Sequence, residues 1–173
     1  MRNFLLPLLA LTLVLSTAGC SQRAKNVSYK DGVKKALEQA DYKDVTVDED
    51  SDKNTITLGG KLHSENAKQQ ASQVAQSGAG NRTIVNQISV EPVGVESEAR
   101  KIESNTDDAI EKNYEAQLIA KGLDKQHIRF DAKNGVLTLK GSVKDTNQRE
   151  AAAQVASNIP NVAQVVNQIE VSR

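Results

Sequence analysis

From Tyr29 onward, the apolar side chains Tyr29, Val33, Ala36, Leu37 and Ala40 are spaced as one helical face. Val45 and Val47 then alternate with polar residues and open a strand, and the polar stretch from Asp48 to Asn54 reads as a turn. Thr55 to Leu62 puts Ile56, Leu58, Gly60 and Leu62 on one parity, so it returns as the second strand of a hairpin. Ser64 is placed to cap a helix whose inner face is Ala67, Ala71, Val74 and Ala75. Gly78 and Gly80 stop that helix, and Arg82 to Val90 makes a last strand.

The same order returns further along. Ala109, Ile110, Tyr114, Leu118 and Ala120 predict the inner face of a helix that Gly122 ends. Ile128 and Phe130 alternate into a strand, Asn134-Gly135 is a tight-turn dipeptide, and Val136 to Val143 is the returning strand. Asp145 with Gln148 resembles a capping box for a helix bearing Ala151, Ala152, Val155 and Ala156. Pro160 follows that helix, and Ala163 to Val171 is the final strand.

The two sets are copies. A shift of 81 positions carries Thr57-Leu58-Gly59-Gly60 onto Thr138-Leu139-Lys140-Gly141, and Val85-Asn86-Gln87-Ile88 onto Val166-Asn167-Gln168-Ile169. A fixed period with a fixed internal pattern marks a duplicated unit. The fold class expected is α+β: two tandem small αββαβ units, each a three-stranded mixed sheet with two helices on one face. A right-handed crossover through the second helix of each unit sets the last strand parallel to its neighbour. The units span 29–91 and 107–173. Between them, 92–106 is expected as a semi-flexible linker in which Pro92 and Gly94 break pairing and the charged run Glu96 to Glu103 is helical. Gly60 and Gly141 fit strand positions where backbones approach closely. Asn86 and Asn167 share parity with Ile88 and Ile169, as inward polar residues bonded to backbone would.

Residues 1–19 are different material. A short positive start, the apolar run Phe4 to Leu15 and the small residues Ser16 to Gly19 read as a secretory signal, because the run is too short to span a bilayer. The single cysteine, Cys20, follows directly. Thr17-Ala18-Gly19-Cys20 resembles a bacterial lipobox, with Thr17 where Leu is commonest, and this implies lipidation at Cys20. Ser21 after the cysteine resembles the sorting rule that sends such chains to the outer membrane. Cleavage by the ordinary signal peptidase, giving a soluble periplasmic protein, is the alternative. Residues 20–28 form a polar tether of at most roughly 26 Å beyond the cysteine.

The 22 basic and 22 acidic side chains leave no net charge, so the chain lacks the basic footprint of a nucleic-acid binder. His63 and His127 are the only histidines, and with one cysteine they make no zinc set. Asp48, Asp50 and Asp52 alternate as in a calcium loop, but Lys53 and Gly59 stand where such a loop needs Gly and Glu. No cofactor and no catalytic group is therefore expected, and the chain does not read as an enzyme. Lys112, Lys121, Lys125 and Arg129 form a candidate phospholipid contact, with Asp107, Asp108, Glu111, Glu115 and Asp124 interleaved. A mixed solvated helix face is the competing reading.

Thr57, Leu58 and Gly60, repeated as Thr138, Leu139 and Gly141, close a strand that precedes an Ala-rich helix. With the terminal strands Ile84-x-Asn86-x-Ile88-x-Val90 and Val165-x-Asn167-x-Ile169-x-Val171, this pattern resembles the BON domain family. The resemblance implies a non-catalytic dual-BON envelope lipoprotein that binds phospholipid surfaces and supports outer-membrane integrity or osmotic and envelope stress tolerance. A periplasmic adaptor that recruits an envelope protein is the alternative. The first unit departs from the pattern at Gly78-Ala79-Gly80-Asn81-Arg82, where the second has Ile159-Pro160-Asn161-Val162, and a looser corner is expected there.

Overall fold

The computed structural model describes residues 28–172. The signal segment, Cys20 and all of the tether before Ser28 lie outside the described residues. Within them the order of elements is α1 (Lys30–Gln39), β1 (Val45–Asp50), β2 (Thr55–Leu62), α2 (Glu65–Gly78), β3 (Thr83–Asn86) and β4 (Ser89–Val90). Then come α3 (Glu96–Ala120), β5 (His127–Lys133), β6 (Val136–Val143), α4 (Thr146–Ser157) and β7 (Gln164–Val171).

Both units have the expected topology. β1 and β5 run antiparallel to β2 and β6, while β3 and β7 run parallel to them on the other side. The local causes are those of the sequence. Ser64 Oγ accepts from Ala67 N at 3.2 Å and Asp145 Oδ1 from Gln148 N at 2.9 Å, capping α2 and α4. Gln148 Oε1 in turn accepts from Lys144 N, so the box closes one residue upstream of the cap. α1 and α3 both end in a Schellman turn. Tyr42 N donates to Leu37 O and Leu123 N to Leu118 O, with Asp41 and Gly122 in the left-handed region between them. Gly60 and Gly141 have φ of 92° and 106°, and a Cβ on either would collide with the carbonyl of Asp44 or His127 across the hairpin.

Each sheet covers one face with its helices. In the first unit Val33, Leu37, Ile56, Leu58, Ala71, Ala75 and Ile88 are buried, and in the second Ile110, Tyr114, Leu118, Leu137, Leu139, Ala152 and Ile169. Tyr114 packs edge-on to Phe130, centroids 5.0 Å apart, and its hydroxyl donates to Ala152 O at 3.2 Å. Burial pushes the Tyr114 phenol above its ordinary pKa. Asn86 Nδ2 donates to Lys68 O, and Asn167 Nδ2 to Arg149 O; each Asn also takes a backbone N–H two residues on, from Ile88 and Ile169. The asparagines thus tie each last strand to the first turn of the preceding helix.

Four expectations are corrected. The helical run expected over Glu96 to Glu103 is continuous with the helix of the second unit: α3 is one run of 25 residues from Glu96, not part of a semi-flexible linker. It is fastened to the first unit, because Glu103 accepts from Val90 N at 2.8 Å and from Ser89 Oγ, and Arg100 pairs with the buried Glu91 at 3.1 Å. Ala40, Ala109, Ala120 and Ala151 are exposed instead of inward. The last strand of the first unit is broken at Gln87-Ile88 into β3 and β4. The corner at Gly78 to Arg82 is tight, not loose, as Gly78 presses on the backbone of Val33 and Arg82 is buried.

The sides of the two sheets turned away from their helices meet. Val85, Val136 and Val166 form one buried cluster there. Around it the Gln164 side chain behaves as a strand residue, donating to Ile84 O at 2.8 Å and accepting from Asn86 N at 3.3 Å. Lys53 reaches Glu170 at 2.7 Å, and Asn134 Nδ2 donates to Gln87 O at 2.8 Å. Lys53 and Asn134 stand 81 positions apart in equivalent turns, and their partners lie on equivalent last strands. The contact is therefore close to self-complementary, as a two-fold interface is.

Candidate functional site

Among the described residues, most cations of the first unit are held in ion pairs, with Lys35 and Lys61 the exposed exceptions. Lys30, Lys34, Lys43 and Lys53 are in ion pairs with Asp48, Glu38, Asp41 and Glu170. Arg82 is paired as well, with Glu49 at 3.0 Å in a site where both side chains are about 95% removed from water (6% and 5% exposed). Arg82 also donates to Ser51 O and Asn54 Oδ1 and stands 5.6 Å over the Tyr29 ring. Glu49 Oε2 accepts from Ser28 Oγ at 2.7 Å, Tyr29 N at 3.0 Å and Lys30 N at 3.1 Å, so it caps α1 from the neighbouring hairpin. The Ser28 hydroxyl, then the Lys30 and Tyr29 N–H groups and the Arg82 charge, hold the Glu49 carboxyl below the usual carboxylate range.

In the second unit Lys112, Lys121, Lys125 and Arg129 are exposed, and among the described residues none of them is in an ion pair. Two of the interleaved acids are turned away from them. Asp107 accepts from Asn134 N and Gly135 N, and Glu111 from Ala132 N, so both serve the β5–β6 hairpin. The four cations do not share one face. Lys121 is the C-cap of α3 and Lys125 lies in the turn after it. Arg129 sits on β5 between Ile128 and Phe130, which face the core, so it points away from the helices. Lys112 is nine residues before Lys121, about two and a half turns, and so lies on the opposite side of the helix. Lys121 also borders a groove between α3 and α4.

No group of three or more His, Cys, Asp or Glu able to hold a metal ion is present among the described residues. His63 Nδ1 is 2.9 Å from Glu91 O, and Asp50 Oδ1 accepts from Asp52 N and Lys53 N, a turn-building role in place of a calcium-binding one. No helix among the described residues is long and apolar enough to cross a membrane. Cys20 lies outside them.

Among curated proteins no sequence matches this chain. Solved structures similar to it include two of CdsD, a structural protein of the type III secretion system of Chlamydia trachomatis. The first is 10% identical, with 81% of this chain and 90% of that one covered and a TM-score of 0.37. The second, a C-terminal domain, is 14% identical, with 83% and 67% covered and a TM-score of 0.32. The family pattern of the BON domain matches twice, over residues 29–92 and 106–173, which are the two halves of the fold. The chain belongs to the BON domain family.

Proposed function

We propose that this chain is a non-catalytic envelope lipoprotein whose second BON unit contacts phospholipid head groups, with Cys20 as its lipid anchor to the outer membrane. Its role is to support outer-membrane integrity under osmotic or envelope stress. The family is associated with phospholipid and membrane binding and with the cell envelope, and its domains are non-catalytic modules. The observation that carries the reading is the contrast in ion pairing. Among the described residues, Lys30, Lys34, Lys43, Lys53 and Arg82 of the first unit are paired with carboxylates and only Lys35 and Lys61 stay exposed without such a pair, whereas Lys112, Lys121, Lys125 and Arg129 of the second are all exposed and outside any ion pair. Each such cation gains about 1 kcal/mol near an anionic membrane surface, so Lys121, Lys125 and Arg129 together supply at most roughly 3 kcal/mol. Lys112, on the far side of α3, adds to the field more than to the contact.

Vesicle co-sedimentation tests it. Binding to vesicles containing phosphatidylglycerol should exceed binding to phosphatidylcholine vesicles, and K121E/K125E should remove the difference. Equal binding to both vesicle types sinks the electrostatic reading. For the anchor, the intact mass of C20A is decisive, since unchanged lipid content rules Cys20 out. The periplasmic adaptor reading is supported by β5 and β7, each of which pairs on one side only. In vivo cross-linking dominated by a single protein partner, together with indifference to vesicles, would favour it.

A further inference from the structure

The two units differ most where their own helices meet. In the first unit a Cβ on Gly78 would stand 3.2 Å from Val33 N and Cα, so α2 lies directly on α1. Tyr42 Oη donates to Gln70 Oε1 at 3.0 Å across the other end of the same seam, which shows that the helices run antiparallel. The counterparts of Gly32, Gly78 and Gln70, 81 positions on, are Asn113, Ile159 and Ala151. Bulk has been added at one end of the seam and removed at the other. Where α1 and α2 are closed, α3 and α4 leave a groove of about 810 Å³.

The walls of this groove have a definite chemistry. Ala116, Ala151, Val155 and Ile159 line it with small and branched apolar groups. The side chains of Asn113, Gln117, Gln154 and Asn158 add uncharged amides. Among the described residues Lys121 is the only charged one lining it. From Asn113 to Lys121 the groove runs about 12 Å along α3, at 1.5 Å per residue. Lys121 is the C-cap of α3, so its ammonium stands at one end of the groove.

We propose that this groove holds the alkyl chain of a single-chain anionic amphiphile, with its head group at Lys121. The proposal rests on the reading of the second unit as the lipid-facing part and gives that part an internal binding site besides its surface charges. A chain of methylene groups matches walls that offer apolar contact and no charge along their length, and the one cation at the end selects for an anion. One such chain lying along the seam, with its head group at the single lining cation, uses both features at once.

Dansyl-undecanoate, a fluorescent alkyl carboxylate, is the probe for a test on the purified chain. Its emission should rise saturably, and A116F/A151F should weaken binding at least tenfold. Ala116 and Ala151 are both exposed, so that variant should melt as the parent does. K121Q should weaken binding of the carboxylate several-fold and leave the corresponding neutral alcohol unaffected. Equal binding by the parent and A116F/A151F, or no saturable binding by the parent, overturns the proposal. So does a photo-reactive amino acid at Gln154 that cross-links to a second copy or another protein and never to the probe. Probe uptake without preference for anionic vesicles would sink the surface reading alone, and vesicle preference without uptake would sink this one alone.

Discussion

Val85 and Val166 hold the same place in the two repeats, and they lie together in one buried cluster with Val136. Two copies of one strand position thus stabilise each other inside a single chain. V85A and V166A should each cost roughly 1–2 kcal/mol, since fully burying a Val is worth about 1.5–3 kcal/mol. In combination their effects should depart from additivity by about 0.5 kcal/mol or more, as residues sharing a contact do. Denaturant titration of the four chains measures the coupling. Additive losses would show that the two valines do not act on each other.

Because the sheets share this contact and α3 is fastened to β4 by Glu103, both units should melt in one transition. V166D places a charge in the cluster and should split the calorimetric peak in two. A single unchanged peak would mean that the junction contributes nothing to cooperativity.

The left-handed positions give predictions of opposite sign. G60A and G141A set a Cβ against the opposing carbonyl and should destabilise by about 1–3 kcal/mol or more. At Asp41 (φ 65°) the second unit has Gly122, and D41G should stabilise by up to about 1 kcal/mol, less whatever the Lys43–Asp41 pair at 2.9 Å supplies. Chemical denaturation of the three variants is the check.

Glu49 makes stability depend on acid. Its folded pKa lies below that of the unfolded chain, so its contribution is complete above the unfolded value of about 4.3 and is lost as pH falls through the folded value. Thermal melts of the parent should decline below about pH 4.3 more steeply than those of E49Q, which should start lower at neutral pH. Parallel curves would dismiss the carboxylate as the source.

Tyr114 is the largest fully buried side chain of the second core. Y114F keeps the ring against Phe130 and loses only the bond to Ala152 O, a loss of about 1 kcal/mol. Y114A opens a cavity and should cost about 3–5 kcal/mol. Melting temperatures of the two variants separate the hydroxyl from the ring.

Much of the fold was legible because its signals are local. The 81-residue shift, the Asn134-Gly135 turn, the Ser64 and Asp145 caps and the glycines at 60 and 141 each state their conformation within a few residues. The continuity of α3 was not legible, because Glu96 to Glu103 has no apolar face and is held by contacts to Ser89, Val90 and Glu91. The junction of the sheets did leave a trace. Ile84-Val85, Val136-Leu137 and Val165-Val166 put apolar residues on both parities, which is the mark of a strand covered on both faces.

The candidate site was less legible. Spacing alone grouped Lys112 with Lys121, while the helix sets them on opposite sides. Ala151 reads as a core alanine until α3 is seen to stand away from it, and only Asn113 and Ile159 in place of Gly32 and Gly78 hinted at that separation.

The way Glu49 holds Ser28, Tyr29 and Lys30 also bears on how the molecule carries load. Ser28 is the first of the described residues, and a force applied there loads the bonds it makes. The first bonds it meets are those to one carboxylate, itself clamped by Arg82 to the turn at Ser51 and Asn54. Tension there is passed to the β1–β2 hairpin before it can unwind α1, so the hairpin and its buried ion pair act as the mechanical footing of the first unit.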